Sequence, residues 1–210
     1  MITSRCVRLM APFLFLAVLA LATGCATNVP FDFFQEGYKP RTGSIAVVSG
    51  GTDDADVKFA EYVTKSLQEK STLKVLSQAE VDRRVGKYPV NIKTAEPKDS
   101  GKPVWPAQGE KAKVDAMHGA LKTDYVLVVW VAGLSRYSSR NSVSYGASII
   151  GNLFEYPPGK IVGYSDFGRS RSQSCFLFGG SEGKDIDALL RGSAEDLAED
   201  LADRTKTAKK

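Results

Sequence analysis

The sequence is poor in the residues from which most catalytic centres are built, with one histidine and three cysteines in 210 residues. It contains no G-x-S-x-G motif, and His118 has no partner His, Cys or carboxylate at metal-ligand spacing. The pair Gly50 and Gly51 is not followed by the lysine of a phosphate-binding loop. These gaps argue against a hydrolase, a metal site and a phosphate site, and we expect no enzymatic activity and no cofactor.

A hydrophobic run long enough to span a membrane is also missing. The uncharged run at residues 10–22 has 13 residues, whereas a spanning helix needs about 20. Arg5 and Arg8 precede this run and small residues follow it. A basic segment, a short apolar core and small residues are typical of a secretory signal peptide, so residues 1–24 are predicted to be removed on export.

Two processing routes fit the end of this signal peptide. The segment Ala20-Leu21-Ala22 fits ordinary cleavage after small residues, which would release a protein that begins at Thr23. The segment at residues 22–25, ATGC, resembles a bacterial lipobox, in which the cysteine receives a diacylglyceryl group. We favour lipidation of Cys25, because a cysteine directly after a signal-peptide core is rare by chance.

The residue after the lipidated cysteine influences the destination of a lipoprotein. Ala26 stands where an aspartate would favour retention in the inner membrane. We therefore expect the chain to be held in the outer membrane by its lipid anchor, with its domain facing the periplasm. Lipoprotein modification normally supplies more than one acyl chain, which makes such an anchor firm.

The predicted mature chain has little net charge. Removal of Arg5 and Arg8 leaves 26 basic residues against 24 acidic ones. A nearly neutral domain has no concentrated basic patch for a nucleic acid, so nucleic acid is not an expected partner.

The mature chain also lacks the cysteines for an internal disulfide. Cys6 leaves with the signal peptide and Cys25 would carry lipid, so only Cys175 remains as a thiol. Its apolar neighbours favour burial, and pairing with another chain stays open.

The composition divides the mature chain into three parts. Residues 25–42 are predicted to be a lipid-anchored tether, residues 43–203 an α/β domain, and residues 204–210 a basic tail. The tether contains four aromatic residues, for which packing on the domain and insertion into the lipid interface are both open. These residues are Phe31, Phe33, Phe34 and Tyr38.

The domain begins with two strand-helix units. Residues 45–48 are β-branched-rich and predict a strand, after which apolar residues at helical spacing predict a helix. Asp53, Asp54 and Asp56 stand at the start of that helix, and we interpret them as capping residues. The second unit has a strand at residues 73–76, and Ser77 with Glu80 forms a capping box that begins a short helix.

A proline-rich segment follows at residues 90–108 and is predicted to be an exposed loop. Trp105 lies between Pro103 and Pro106. Because tryptophan is enriched in interface hot spots, Trp105 is a candidate partner-binding residue. The alternative is that its ring packs on its own domain.

The remaining elements complete a sheet. A helix is predicted at residues 110–121, and a strand apolar on both faces follows, as in the centre of a covered sheet. Residues 142–154 and 161–170 predict an antiparallel hairpin around YPPGK, and apolar residues at helical spacing predict a closing helix. His118 lies on the helix before the central strand and is expected to be structural.

The element order and the segments SIAVVSG, LKVLSQAEVDRRV, LKTDYVLVVWVAGL and SIIGNLFEYPPGKIVGYS resemble an envelope domain family. This family includes the curli secretion lipoprotein CsgG, the N-terminal domain of TolB and the activator LpoB, and the resemblance spans residues 43–202. It implies a sandwich-like α/β fold with a mixed sheet of about five strands and flanking helices. It also implies a non-enzymatic role in which the domain binds another envelope protein in assembly or secretion.

The alternative is a subunit of an oligomeric secretion ring or pore, so a homo-oligomer stays open. The alternating pattern at residues 143–149 imitates one membrane-crossing segment. Its predicted partner strand carries Asp166, Arg169 and Arg171, which favours a water-exposed sheet instead.

Overall fold

The computed structural model describes residues 32–33, 38, 40–89, 91–92, 108–139, 142–157, 159–174 and 182–206. These residues form six strands and four helices. Their bounds, in chain order, are β1 (Asp32–Phe33), β2 (Ser44–Ser49), α1 (Asp54–Lys70), β3 (Lys74–Val75), α2 (Gln78–Val85), α3 (Gln108–Leu121), β4 (Tyr125–Ser138), β5 (Ser142–Glu155), β6 (Lys160–Ser174) and α4 (Glu182–Lys206).

The strands form one mixed sheet in the order β1-β6-β5-β4-β2-β3. Strand β2 pairs in parallel with both β3 and β4, whereas β4, β5 and β6 form an antiparallel meander. The predicted α/β class with a mixed sheet, flanking helices and a hairpin at residues 142–170 is confirmed. The three strands of the meander have 14 or 15 residues each, whereas β2 has six.

Helices cover both faces of the sheet, and β4 explains why. Leu127 and Val129 pack in a layer with residues of α1 and α4, whereas Val126, Val128 and Trp130 pack in the opposite layer with residues of α2 and α3. Side chains of a strand alternate between faces, so a strand apolar at every position requires cover on both. The prediction of a central, doubly covered strand is therefore confirmed.

Local signals fix the short helix α2 as predicted. The Ser77 side chain accepts a hydrogen bond from the Glu80 N–H, which satisfies one of the free donors at the helix start. The carboxylate of Glu80 forms an ion pair with Arg84. Gly86 ends the helix with φ of 74°, a left-handed conformation that glycine adopts without steric cost.

Two elements extend past the predicted domain boundaries, and one residue of the predicted exposed loop is buried. Strand β1 lies inside the predicted tether and pairs with β6, and Tyr38 packs against the core, so this segment is partly joined to the domain. Helix α4 continues to Lys206, past the predicted start of the tail at residue 204. In the predicted exposed loop, Ile92 is fully buried, and its N–H donates to the Gly50 carbonyl at 2.8 Å.

Candidate functional site

The two site residues predicted from sequence, Cys25 and Trp105, lie outside the described residues, so their roles stay predictions. Cys175 lies outside them as well. No helix among the described residues combines the length and the hydropathy of a membrane span. Among the same residues, no three His, Cys, Asp or Glu side chains are grouped closely enough to hold a metal ion.

His118 has structural contacts. Its ring stacks on the Tyr156 ring with centroids 3.6 Å apart and planes 4° apart. Its Nε2 lies 2.8 Å from the Thr123 carbonyl oxygen, to which it can donate. The Tyr156 hydroxyl donates to Asp115 at 2.9 Å. Burial and this bond raise the pKa of Tyr156. Through these contacts His118 and Asp115 join α3 to the turn after β5.

The carboxyl end of β2 and the adjoining part of β4 form the crevice where open α/β sheets commonly bind ligands. Here the carboxylate of Asp56 fills the crevice. Its Oδ1 accepts a hydrogen bond from the Val131 N–H at 2.7 Å, and a Cβ atom at Gly51 would overlap this carboxylate. Position 51 therefore requires glycine, because any Cβ atom there would occupy the space of the Asp56 carboxylate.

Asp54 and Asp56 lie in the first turn of α1, where acidic side chains were predicted to stabilise the helix start, and the Asp56 carboxylate also bonds to the neighbouring strand. Asp53 does stand at the N-cap position, but its side chain makes no capping hydrogen bond. Spacing alone suggested capping at these positions. The contact that Asp56 makes is between residues 75 positions apart, which no local pattern reveals.

A polar cavity of about 370 Å³ lies at the opposite end of β4. Three of its charged side chains have partners within the chain. Asp124 accepts hydrogen bonds from the N–H and the hydroxyl of Ser44, both at 2.7 Å, and Glu155 lies 4.0 Å from Lys160. The Ser44 N–H, and after it the Ser44 hydroxyl, lower the pKa of Asp124.

The most distinctive surface of the chain is the outer half of the meander, which we call the distal sheet. It consists of residues 131–138 of β4, 142–149 of β5 and 167–174 of β6. It begins at a β-bulge between Val131 and Gly133, where the pairing of β4 with β5 shifts by one residue. Beyond that bulge β4 is exposed, with Leu134 46% and Tyr137 72% accessible.

Helix α4 covers one face of the distal sheet and holds its charges. Arg169 forms an ion pair with Asp196, and Arg171 lies 3.9 Å from Asp185. Burial raises the pKa of Asp196, and the charge of Arg169 opposes that shift. The positive charges noted in the sequence therefore hold β6 against α4.

The other face, which we call the bare face, carries glycine, serine and tyrosine. Register places its residues in cross-strand rows, and a shallow concavity of about 390 Å³ lies along two of them. No described residue covers this face, and apart from Tyr137 its described rows carry only the small side chains of glycine and serine. Two of the rows are Gly133-Ser148-Gly168 and Ser135-Gly146-Ser170, and Tyr137 lies in the next row, with Ser144 and Ser172.

The outer edge of β4 is open along the distal sheet. Strand β2 ends opposite Val129, whose carbonyl accepts from the Gly50 N–H at 2.8 Å. The next outward N–H, that of Val131, is taken by Asp56. No described strand pairs with this edge beyond that point. The open edge was missed in the sequence, although the polar continuation GLSRYS after a buried strand is a visible signal.

Comparison with known proteins gives structural similarities only. No protein-family model and no curated protein matches the chain. A PelC dodecamer from Paraburkholderia phytofirmans is 15% identical with a TM-score of 0.44, over 82% of this chain and 94% of that one. The protein CT253 of Chlamydia trachomatis is 13% identical with a TM-score of 0.43, over 77% and 99%.

A third similar structure, lipoprotein GNA1162 of Neisseria meningitidis, is 16% identical with a TM-score of 0.41, over 74% of this chain and 97% of that one. The structures similar to this chain thus include bacterial lipoproteins. With TM-scores below 0.5, these similarities assign neither an activity nor a partner to this chain. The resemblance to CsgG, TolB and LpoB stays a prediction.

Proposed function

We propose that the chain is an envelope lipoprotein, anchored in the outer membrane through Cys25, whose periplasmic domain binds another envelope protein without catalysing a reaction. The distal sheet is the observation that supports this function. It projects beyond the part of β4 that pairs with β2 and presents a bare face, an open edge and an exposed tyrosine. Backbone edges and exposed aromatic side chains are recurrent elements of protein recognition.

The anchor rests on the segment ATGC at residues 22–25. Replacement of Cys25 by serine removes the sulfur that would carry the lipid, so this variant should move from the membrane pellet to the periplasmic fraction. Retention of the variant in the pellet as firmly as the parent would refute the lipid anchor, whereas recovery of the parent itself in the periplasmic fraction would favour cleavage after Ala22. A density gradient then separates the membranes, and recovery of the parent protein with the inner membrane would refute the proposed destination.

Binding through the bare face can be tested in intact cells with a photo-crosslinking residue. We place it at Ser170, which is exposed on the bare face, and as a control at Glu61, which is exposed on α1. We expect one envelope protein, the same by mass spectrometry in independent cultures, to be crosslinked from position 170 and not from position 61. Equal products from both positions, or none from position 170, would refute this binding surface.

A further inference from the structure

We propose that two copies of this chain associate through the open edge of β4, with residues 133–137 of each copy pairing as antiparallel strands about a two-fold axis at Ser135. This inference goes beyond the proposed function, because it assigns the open edge and Tyr137 to a second copy and leaves the glycine and serine rows of the bare face to another envelope protein. It would join two distal sheets edge to edge into one six-stranded surface.

The backbone of β4 offers hydrogen-bonding groups in the required direction. At the hairpin end, the Ser139 N–H donates to the Ser142 carbonyl at 2.8 Å, so residue 139 directs its N–H toward β5. Because backbone groups alternate in direction along a strand, Leu134, Arg136 and Ser138 direct theirs away from β5. The N–H of Val131 also points away from β5, and the extra residue of the bulge before Gly133 shifts the alternation from odd-numbered to even-numbered residues.

The side chains favour one register among those that these groups permit. Only registers that pair the outward residues with each other form hydrogen bonds, and these are centred on one of the residues 134–138. A centre at Tyr137 or Ser138 would place Leu134 opposite residue 140 or 142, beyond the end of β4 at Ser138. A centre at Arg136 would place two guanidinium groups directly opposite each other, which is destabilising. A centre at Leu134 would pair Arg136 with Ala132, inside the bulge. The centre at Ser135 pairs Leu134 with Arg136 and avoids both.

This register also gives partners to two residues whose exposure no contact among the described residues explains. A Cβ atom at Gly133 would meet no atom within 4 Å, so the monomer does not require glycine there. Tyr137 is 72% exposed. Across the axis, Tyr137 of one copy lies opposite Gly133 of the other in a non-hydrogen-bonded pair, where side chains approach most closely. The ring would lie over the glycine, an arrangement that stabilises glycine near a sheet edge.

The complementarity identifies a second copy as the occupant of the edge. The exposed ring and the vacant position that receives it lie in the same five-residue segment, so two identical segments satisfy each other twice. Such an interface, in which the same patch serves both subunits, is the commonest form of homo-oligomer. Pairing also gives hydrogen-bonding partners to an edge that would otherwise be open to aggregation.

A disulfide at the axis tests the register. We replace Ser135 by cysteine in a mature chain whose Cys175 is serine, and oxidise mildly. In the proposed pair the two Cα atoms at position 135 would be about 4.5 Å apart, within the range of a disulfide. Ser170→Cys is the matched control, since residue 170 lies in the same cross-strand row but about 10 Å from position 135. We expect a covalent dimer from Ser135→Cys and none from Ser170→Cys.

Gly133→Val tests the pair without disturbing the fold. The added side chain begins in open space in the monomer, and valine is favoured in strands, so the melting temperature should not fall. In the dimer both Tyr137 rings lose their positions, and dimerisation of the mature chain in detergent should weaken about tenfold or more by sedimentation velocity.

A monomeric parent, dimerisation unaffected by Gly133→Val, or equal disulfide formation at positions 135 and 170 would overturn the inference. A larger ring that survives Gly133→Val would also overturn it. These outcomes do not affect the crosslink at position 170 to another envelope protein. Conversely, a dimer that gives no such crosslink would overturn the proposed function and leave the inference intact.

Discussion

Replacement of Leu127 by alanine tests the position of β4 at the centre of the sheet. Leu127 is fully buried, and register places it between Val47 of β2 and Leu153 of β5, which are also buried. A cavity between two paired strands is hard to close by relaxation, so we expect a loss of about 2–5 kcal/mol in the free energy of unfolding. For a domain of this size that corresponds to a decrease of about 4–20 °C in melting temperature.

The matched control is Leu134→Ala on the same strand. Leu134 is 46% exposed, so its truncation should cost about 1 kcal/mol or less. Urea unfolding followed by circular dichroism gives both values, provided that the slope with denaturant stays constant. If Leu127→Ala unfolds at the same urea concentration as the parent, or costs no more than Leu134→Ala, then β4 does not lie at the centre of the core.

Three further predictions follow from the other contacts. The pKa of Asp124 is lowered in the fold, so its bonds to Ser44 stabilise the fold above the unfolded pKa of about 4, and this contribution is lost as pH falls through the folded pKa. Ser44→Ala should therefore be less stable than the parent at pH 7, and the difference in stability should shrink in acid. An equal difference at both pH values would contradict this. Gly51→Ala should cost about 1–3 kcal/mol by displacing the Asp56 carboxylate from its buried bond, and less in an Asp56→Ala background, whereas additive losses would refute the steric argument. Trp105→Ala should abolish partner capture with an unchanged melting curve, and a large drop in melting temperature or full capture would remove Trp105 from the interface.

Much of the fold follows from patterns within short segments. Ser77 and Gly86 begin and end α2 through bonds to residues three or four positions away, and such bonds depend only on local sequence. The run at residues 125–130 required cover on both faces, because every second side chain points to the opposite side of a strand. These signals were sufficient for the α/β class, the hairpin and the order of most elements.

Contacts between distant segments could not be predicted in the same way. Asp56 had the spacing of a capping residue, but its partner is the Val131 N–H. Ile92 lies in a proline-rich segment typical of an exposed loop, but its N–H donates to the carbonyl of Gly50. In each case the competing local signal was weak, and a buried hydrogen bond to another element decided the outcome.

The sequence by itself thus determined the predicted export route, the class of the fold and the residues of the central strand, since each depends on composition or on the period of apolar side chains. The tertiary structure alone decided that β2 stops at Ser49, opposite Val129, while β4 continues, and that α4 covers only one face of the meander. The lengths of neighbouring strands and the placement of a helix depend on packing between segments far apart in the chain. The open edge and the bare face are consequences of that packing, and Gly133 and Tyr137 acquire their proposed roles only when the register is known.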